Sequence, residues 1–114
     1  MLTKREAITK CKEQWLWVAE DPTRDKEDYP PAKYMKCSCF CCQYNVENAN
    51  NFCGKNCLLD WRNGGYCVLG EYDDWRDAFY IDNDYPATKA AALSIVALCD
   101  KALMELDKEE KQGG

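Results

Sequence analysis

Apolar residues return at helical spacing at both ends of the chain and lose that spacing in the middle. Near the start, Ala7, Ile8, Cys11, Trp15, Val18 and Ala19 share one face of a helix, and Thr3 stands three residues ahead of Glu6 just before them. A threonine whose hydroxyl accepts a backbone N–H, with a glutamate placed to accept the threonine's own N–H, is a capping box, so the pattern predicts a first helix within residues 1–20. Trp17 falls on the opposite side of the wheel, among Glu6, Lys10 and Glu13, where it is either exposed or covered by another segment. Asp21-Pro22 ends the helix. The stretch to Lys36 mixes charges with Tyr29-Pro30-Pro31, which lacks backbone donors, and reads as a packed connector.

Residues 37–70 hold neither a helical nor a strand period for long. After Gly70 the helical period resumes: Tyr72, Trp75 and Phe79, with Ala78 beside them, lie on one face and Asp73, Asp74 and Asp77 point elsewhere, predicting a short acidic helix over 71–81. Asp82-Asn83-Asp84 breaks it, and Pro86 suits the first turn of a last helix over 86–110. That helix carries a wide apolar arc of Ala91, Ala92, Ile95, Val96, Leu98, Cys99, Ala102, Leu103 and Leu106. A second stripe, Ala90, Leu93, Ala97 and Met104, lies on its other side. It is buried only if the helix is sandwiched centrally or if Leu93, Ala97 and Met104 meet a second copy or a partner.

Composition narrows the chemistry. The chain has 114 residues, enough for a single domain over 1–114, and nine cysteines to staple a modest core. The first twenty residues carry Lys4, Arg5, Glu6, Lys10, Lys12 and Glu13, so no signal-peptide core is present, and no segment is apolar enough to span a membrane. A cytoplasmic location, with cysteines as thiols or metal ligands rather than disulfides, is therefore expected. Residues 71–85 hold six acids against the single Arg76 and account for the whole net charge of −5, which disfavours general phosphate-backbone binding. This acidic segment is either a solvated face or a surface for a basic partner. Histidine is absent, which removes imidazole bases, Ser-His and Cys-His nucleophile pairs and every zinc site with a histidine ligand.

The central cysteines carry the strongest chemical pattern. Cys39 and Cys42 form a Cys-x-x-Cys turn, whose backbone lets two sulfurs converge on one metal. Cys53 and Cys57 follow after ten residues with Gly54 between them, and Cys67, after Gly64-Gly65, is a reserve ligand. Four of these five are expected to hold one structural Zn2+; Cys37 and Cys41 alternate with them and could shift the register. Four thiolates fill the zinc shell and blunt its Lewis acidity, which argues against a catalytic metal and an enzyme. Cys11 and Cys99, on the apolar faces of the two long helices, are expected to pack as small hydrophobes.

Several short features occur in a familiar order: Trp15 and Trp17, then Cys39-Phe40-Cys41-Cys42-Gln43-Tyr44, Cys53 to Cys57 followed by Leu58, Gly65-Tyr66-Cys67, and Tyr72-Asp73-Asp74-Trp75. The order resembles that of a loosely defined family of small, Cys-rich bacteriophage proteins with a Trp-rich first helix, a zinc-knuckle centre and a helical tail. The chain departs from the family's usual second Cys-x-x-Cys-Pro-Leu, having three residues between Cys53 and Cys57 and no proline. The resemblance implies a viral origin and the fold outline, and a setting in the host cytoplasm, and assigns no reaction.

The fold expected is mainly α: a small helical domain in which the outer helices pack through Ile8, Trp15, Val18, Ile95, Leu103 and Leu106 around a zinc-knuckle region, a region compatible with short strands. The function expected is non-enzymatic binding and inhibition of a host macromolecule, such as a bacterial defence nuclease in the manner of an anti-CRISPR protein. Asp73, Asp74, Asp77, Asp82 and Asp84, with Trp17, would form the contact. The rival reading is a zinc-knuckle nucleic-acid binder using Lys36, Lys55 and Arg62 on phosphates and Phe40 or Tyr44 as a base-stacking platform. A thiol redox switch at Cys41 or Cys67 is a third.

Overall fold

In the computed structural model of the chain, which describes residues 3–32, 40, 44, 59 and 70–113, three helices carry the core. The first, α1, spans Lys4–Glu20 and begins with the capping box that the sequence requires. The Glu6 N–H donates to Thr3 Oγ1 and the Thr3 N–H donates to Glu6 Oε1, each at 3.1 Å. The helix stops at Asp21, whose backbone is extended and whose carboxylate accepts both the Thr23 N–H, at 3.2 Å, and the Thr23 hydroxyl, at 2.7 Å. An aspartate that caps its own downstream turn offers the backbone an alternative to helix, which is why the chain turns here.

The connector packs back along α1 through two 3-10 turns, Lys26–Asp28 and Pro30–Ala32. Gln14, buried on the inner face of α1, donates from Nε2 to the Lys26 carbonyl at 2.8 Å. The Lys26 side chain is itself buried, with its ammonium 4.7 Å from the centre of the Tyr72 ring. This polar tie explains how a glutamine comes to occupy a core position: its amide satisfies a backbone acceptor that would otherwise be buried bare.

Helix α2, Glu71–Arg76, widens into a π-helical turn over Asp77–Asp82, so the expected helix at 71–81 is present with a looser second half. The Asp84 N–H donates to the Ala78 carbonyl at 3.0 Å across this wide turn, and Asn83 closes it in the left-handed region at φ 51°. Asparagine tolerates that conformation better than most residues, because its short amide bonds locally. Helix α3 then runs Tyr85–Gly113. It starts one residue before the expected 86 because Asp84 caps it: Asp84 Oδ1 accepts the Ala87 N–H at 3.2 Å, and the Thr88 hydroxyl donates to the Asp84 carbonyl at 2.9 Å.

Helices α1 and α3 lie antiparallel and form the main interface, with α2 against α3. Ile8, Cys11, Trp15 and Val18 from α1 and Ala92, Ile95 and Cys99 from α3 are buried in one cluster, joined by Trp75 from α2 and by Phe40 and Leu59. Leu103 and Leu106 pack on its edge, half-buried. Cys11 and Cys99 are buried free thiols, as befits small hydrophobes inside a helix pair. At the α2 end the core is aromatic: the Trp75 ring stacks on Phe79 at 5.2 Å and meets Trp15 edge-on at 5.1 Å. Helix α3, 29 residues long, rises about 43 Å from end to end.

Only one side of α3 faces this core. Ala90, Leu93, Ala97 and Met104 are exposed, so the helix is not sandwiched between other elements among the described residues.

Candidate protein-binding surface

The acidic segment becomes a corner where α2 ends and α3 begins. On α2 the inward positions are taken by Trp75 and Ala78, both buried, with Tyr72 and Phe79 half-buried beside them. The next two residues, Tyr80 and Ile81, are 53% and 71% exposed. Tyr85, on the first turn of α3, is 42% exposed. Three large apolar side chains thus stand in water within six residues, with Asp82, Asn83 and Asp84 exposed between them.

The five aspartates do not play equal parts. Asp73 accepts a 2.6 Å ion-paired hydrogen bond from Arg76, one turn along the same helix, so much of its charge is answered locally. Asp84 is the α3 cap, with one carboxylate oxygen committed to the Ala87 N–H. Asp77 is half-exposed, Asp82 is exposed, and neither has a side-chain partner among the described residues. Asp74 is exposed as well. Asp25 on the connector joins the corner from the other side by accepting a short hydrogen bond from the Tyr80 hydroxyl. This bond ties the Tyr80 ring, which packs edge-on against Trp75 and Phe79, to the connector and adds a sixth carboxylate to the surroundings.

Trp17 is not part of this corner. Its ring lies 4.6 Å from the Arg24 guanidinium and 5.5 Å from the Tyr29 ring, and its carbonyl accepts from Arg24 at 2.9 Å. Of the two possibilities left open for Trp17, coverage by another segment is the one realised, and the connector supplies the cover. The Tyr29 hydroxyl, partly desolvated there, has its pKa raised by burial and by the nearby Glu13.

Phe40, one of the two base-stacking candidates, is 3% exposed and packs in the helix core, 6.4 Å from Tyr29 and under the Lys10 ammonium at 5.9 Å. A ring so enclosed has no face to offer a base. Tyr44, the other candidate, is half-buried. The candidate metal ligands Cys39, Cys42, Cys53, Cys57 and Cys67, together with Cys37, Cys41, Lys36, Lys55 and Arg62, lie outside the described residues. Among the described residues no three His, Cys, Asp or Glu side chains gather closely enough to hold a metal. No helix among them is long and apolar enough to cross a membrane.

The exposure of Tyr80, Ile81 and Tyr85 is a feature the sequence pattern alone did not single out. Their signal is present: Tyr80 and Ile81 lie off the Tyr72, Trp75 and Phe79 face, at positions that an amphipathic helix normally fills with polar residues.

Comparison with protein-family models, characterised proteins and solved structures found no match. The chain's own residues must therefore carry the functional argument.

Proposed function

We propose that the chain is a non-enzymatic, zinc-stabilised binding protein that docks its α2–α3 corner onto a basic surface of another macromolecule and blocks it. The observation that carries this reading is the exposure of Tyr80, Ile81 and Tyr85 in a stretch that also exposes Asp82 and Asp84. Binding energy in protein interfaces concentrates in a few large side chains that become fully desolvated, while surrounding charges set orientation and on-rate. A corner that combines exposed apolar side chains with carboxylates is suited to a partner with an apolar hollow bordered by lysine and arginine.

The resemblance to small bacteriophage proteins puts that partner in the host cell, and a nucleic-acid channel of a defence nuclease has the required positive charge. In this reading the carboxylates take the place of phosphates in the channel, and Ile81 and Tyr85 supply the contact that nucleic acid would not. Four of Cys39, Cys42, Cys53, Cys57 and Cys67 hold one structural Zn2+, a reading supported by their spacing.

A DNA-cleavage assay with an RNA-guided nuclease tests the proposal. The variant to compare is one in which Asp73, Asp74, Asp77, Asp82 and Asp84 all become asparagine. Asparagine retains the cap at position 84, so the variant loses charge without losing the helix. Inhibition by the natural protein and its loss in the variant are expected. Equal inhibition by both would remove the acidic surface from the mechanism.

A further inference from the structure

We infer that the outer face of α3 is the seam of an antiparallel homodimer, with a twofold axis passing beside Ala97. Leu93 is 44% and Met104 61% exposed, with exposed Ala90 and Ala97 in the same stripe. Ala90, Ala97 and Met104 are spaced seven residues apart, the repeat that keeps one helix face against another. Ala90 and Met104 are placed symmetrically about Ala97. Met104 lies as far beyond that residue as Ala90 lies before it, so antiparallel pairing sets each methionine over the small Ala90 of the second copy. The two Ala97 residues meet at the axis, where small side chains allow helices to approach to about 8 Å.

The seam extends beyond α3. Arg5 pairs with Asp107 and Lys12 with Asp100, which fixes the α1–α3 register and puts Leu16 at the level of Val96 and Ala97. Leu16 lies on the same side of α1 as Arg5 and Lys12 and is 42% exposed, which widens the apolar face across the helix pair.

Charge selects a second copy as the occupant. Lys89 and Asp107 lie on the same flank of the stripe, near opposite ends of it. In an antiparallel pair, residues on one flank face the same flank of the partner helix. Lys89 then comes opposite Asp107 of the second copy, and the twofold repeats the contact. Lys89 has no ion-pair partner among the described residues. Asp107 presents a second carboxylate oxygen beside the one that accepts from Arg5. The dimer stands independently of the partner-binding reading. Together, the two place the acidic corners at opposite ends of the seam, about 40 Å apart at 1.5 Å rise per residue, so that the assembly would engage two basic sites at once.

Sedimentation equilibrium of the full chain over a concentration series, with circular dichroism to verify folding, tests the inference. The natural protein is expected to sediment at twice its chain mass, and Met104→Glu, at an exposed position, to sediment as a folded monomer. Lys89→Glu, which sets like charges opposite each other at the seam, is expected to weaken the dimer. A monomer mass at every concentration overturns the inference, as does a dimer that survives Met104→Glu or is unchanged by Lys89→Glu. None of these readouts uses a binding partner, so failure here leaves the acidic-corner reading untouched, and failure of that reading leaves the dimer untouched.

Discussion

The Lys12 ammonium meets the Asp100 carboxylate at 2.6 Å, and seven residues away on each helix Arg5 meets Asp107 at 2.7 Å. Two ion pairs separated by the same two turns on both helices fix a single antiparallel register for α1 and α3. A slip by one residue would break both pairs and rotate the apolar faces out of contact. Exposed pairs contribute little to stability on their own, so their role here is to specify the register that the buried faces then hold.

That seam has a pH signature. The pKa of Lys12 is raised above its ordinary value of 10.5, first by its hydrogen bond to Asp100 and then by that carboxylate's charge. Its contribution is fully present below 10.5 and is lost as pH rises through the higher folded value. Thermal melts of the natural protein should therefore lose stability over that alkaline interval in a way that Lys12→Met does not. Parallel pH profiles for the two proteins would remove the pair from the account.

The helix cap titrates at the other end of the scale. Hydrogen bonds from the Thr3 backbone and side chain lower the Glu6 pKa below its ordinary 4.5. The stabilisation is present above 4.5 and disappears as pH falls through the lower folded value, so Glu6→Gln should flatten the acid limb of a urea-denaturation series. Thr3→Ala, which removes the acceptor for the Glu6 N–H, should cost about 1 kcal/mol at neutral pH in the same measurement.

Trp75 offers a test of packing against hydrogen bonding. Its ring is fully buried between Trp15 and Phe79, yet its Nε1–H has no acceptor among the described residues. Trp75→Ala should cost about 3–5 kcal/mol through the cavity it leaves. Trp75→Phe should cost about 1 kcal/mol or less, because removing an unpaired buried donor offsets part of the lost volume. Denaturant melts of the two variants check this; equal losses would mean that the indole N–H is satisfied.

The helical parts of the fold were legible because their signals are local. Thr3 and Glu6 announce a helix start within four residues, and the Ile8, Cys11, Trp15 and Val18 spacing names the buried face directly. The tail helix was equally clear from Ala92, Ile95 and Cys99. What the spacing could not show depends on contacts between distant residues. Gln14 reads as polar until the Lys26 carbonyl is brought to its amide, and Trp17 reads as stranded until Arg24 and Tyr29 fold over it. The π-helical turn escaped for a related reason, since its registry is fixed where Asp84 reaches back to the Ala78 carbonyl. The acidic residues of the candidate surface were visible as charge. Tyr80 and Ile81 were hidden among them because the eye assigns aromatic and aliphatic residues to the core.

The cysteine spacing makes a prediction of its own. Purified protein should contain one zinc per chain by elemental analysis, and chelation should release four thiols and lower the unfolding temperature, since metal binding to such a site is coupled to folding. Cys11 and Cys99, buried free thiols of the helix pair, should not react until the helices unfold. Protein free of zinc, with its central thiols oxidised in pairs, would replace the metal by disulfides.

The central claim is that residues at the α2–α3 corner are a binding surface, and backbone hydrogen exchange tests it most directly. Exchange would be followed for the chain alone and in mixture with an RNA-guided nuclease. The account predicts slowed exchange centred on residues 77–85, with α1 unchanged, and loss of that protection in the five-asparagine variant. A footprint centred elsewhere, or none at all, would contradict it.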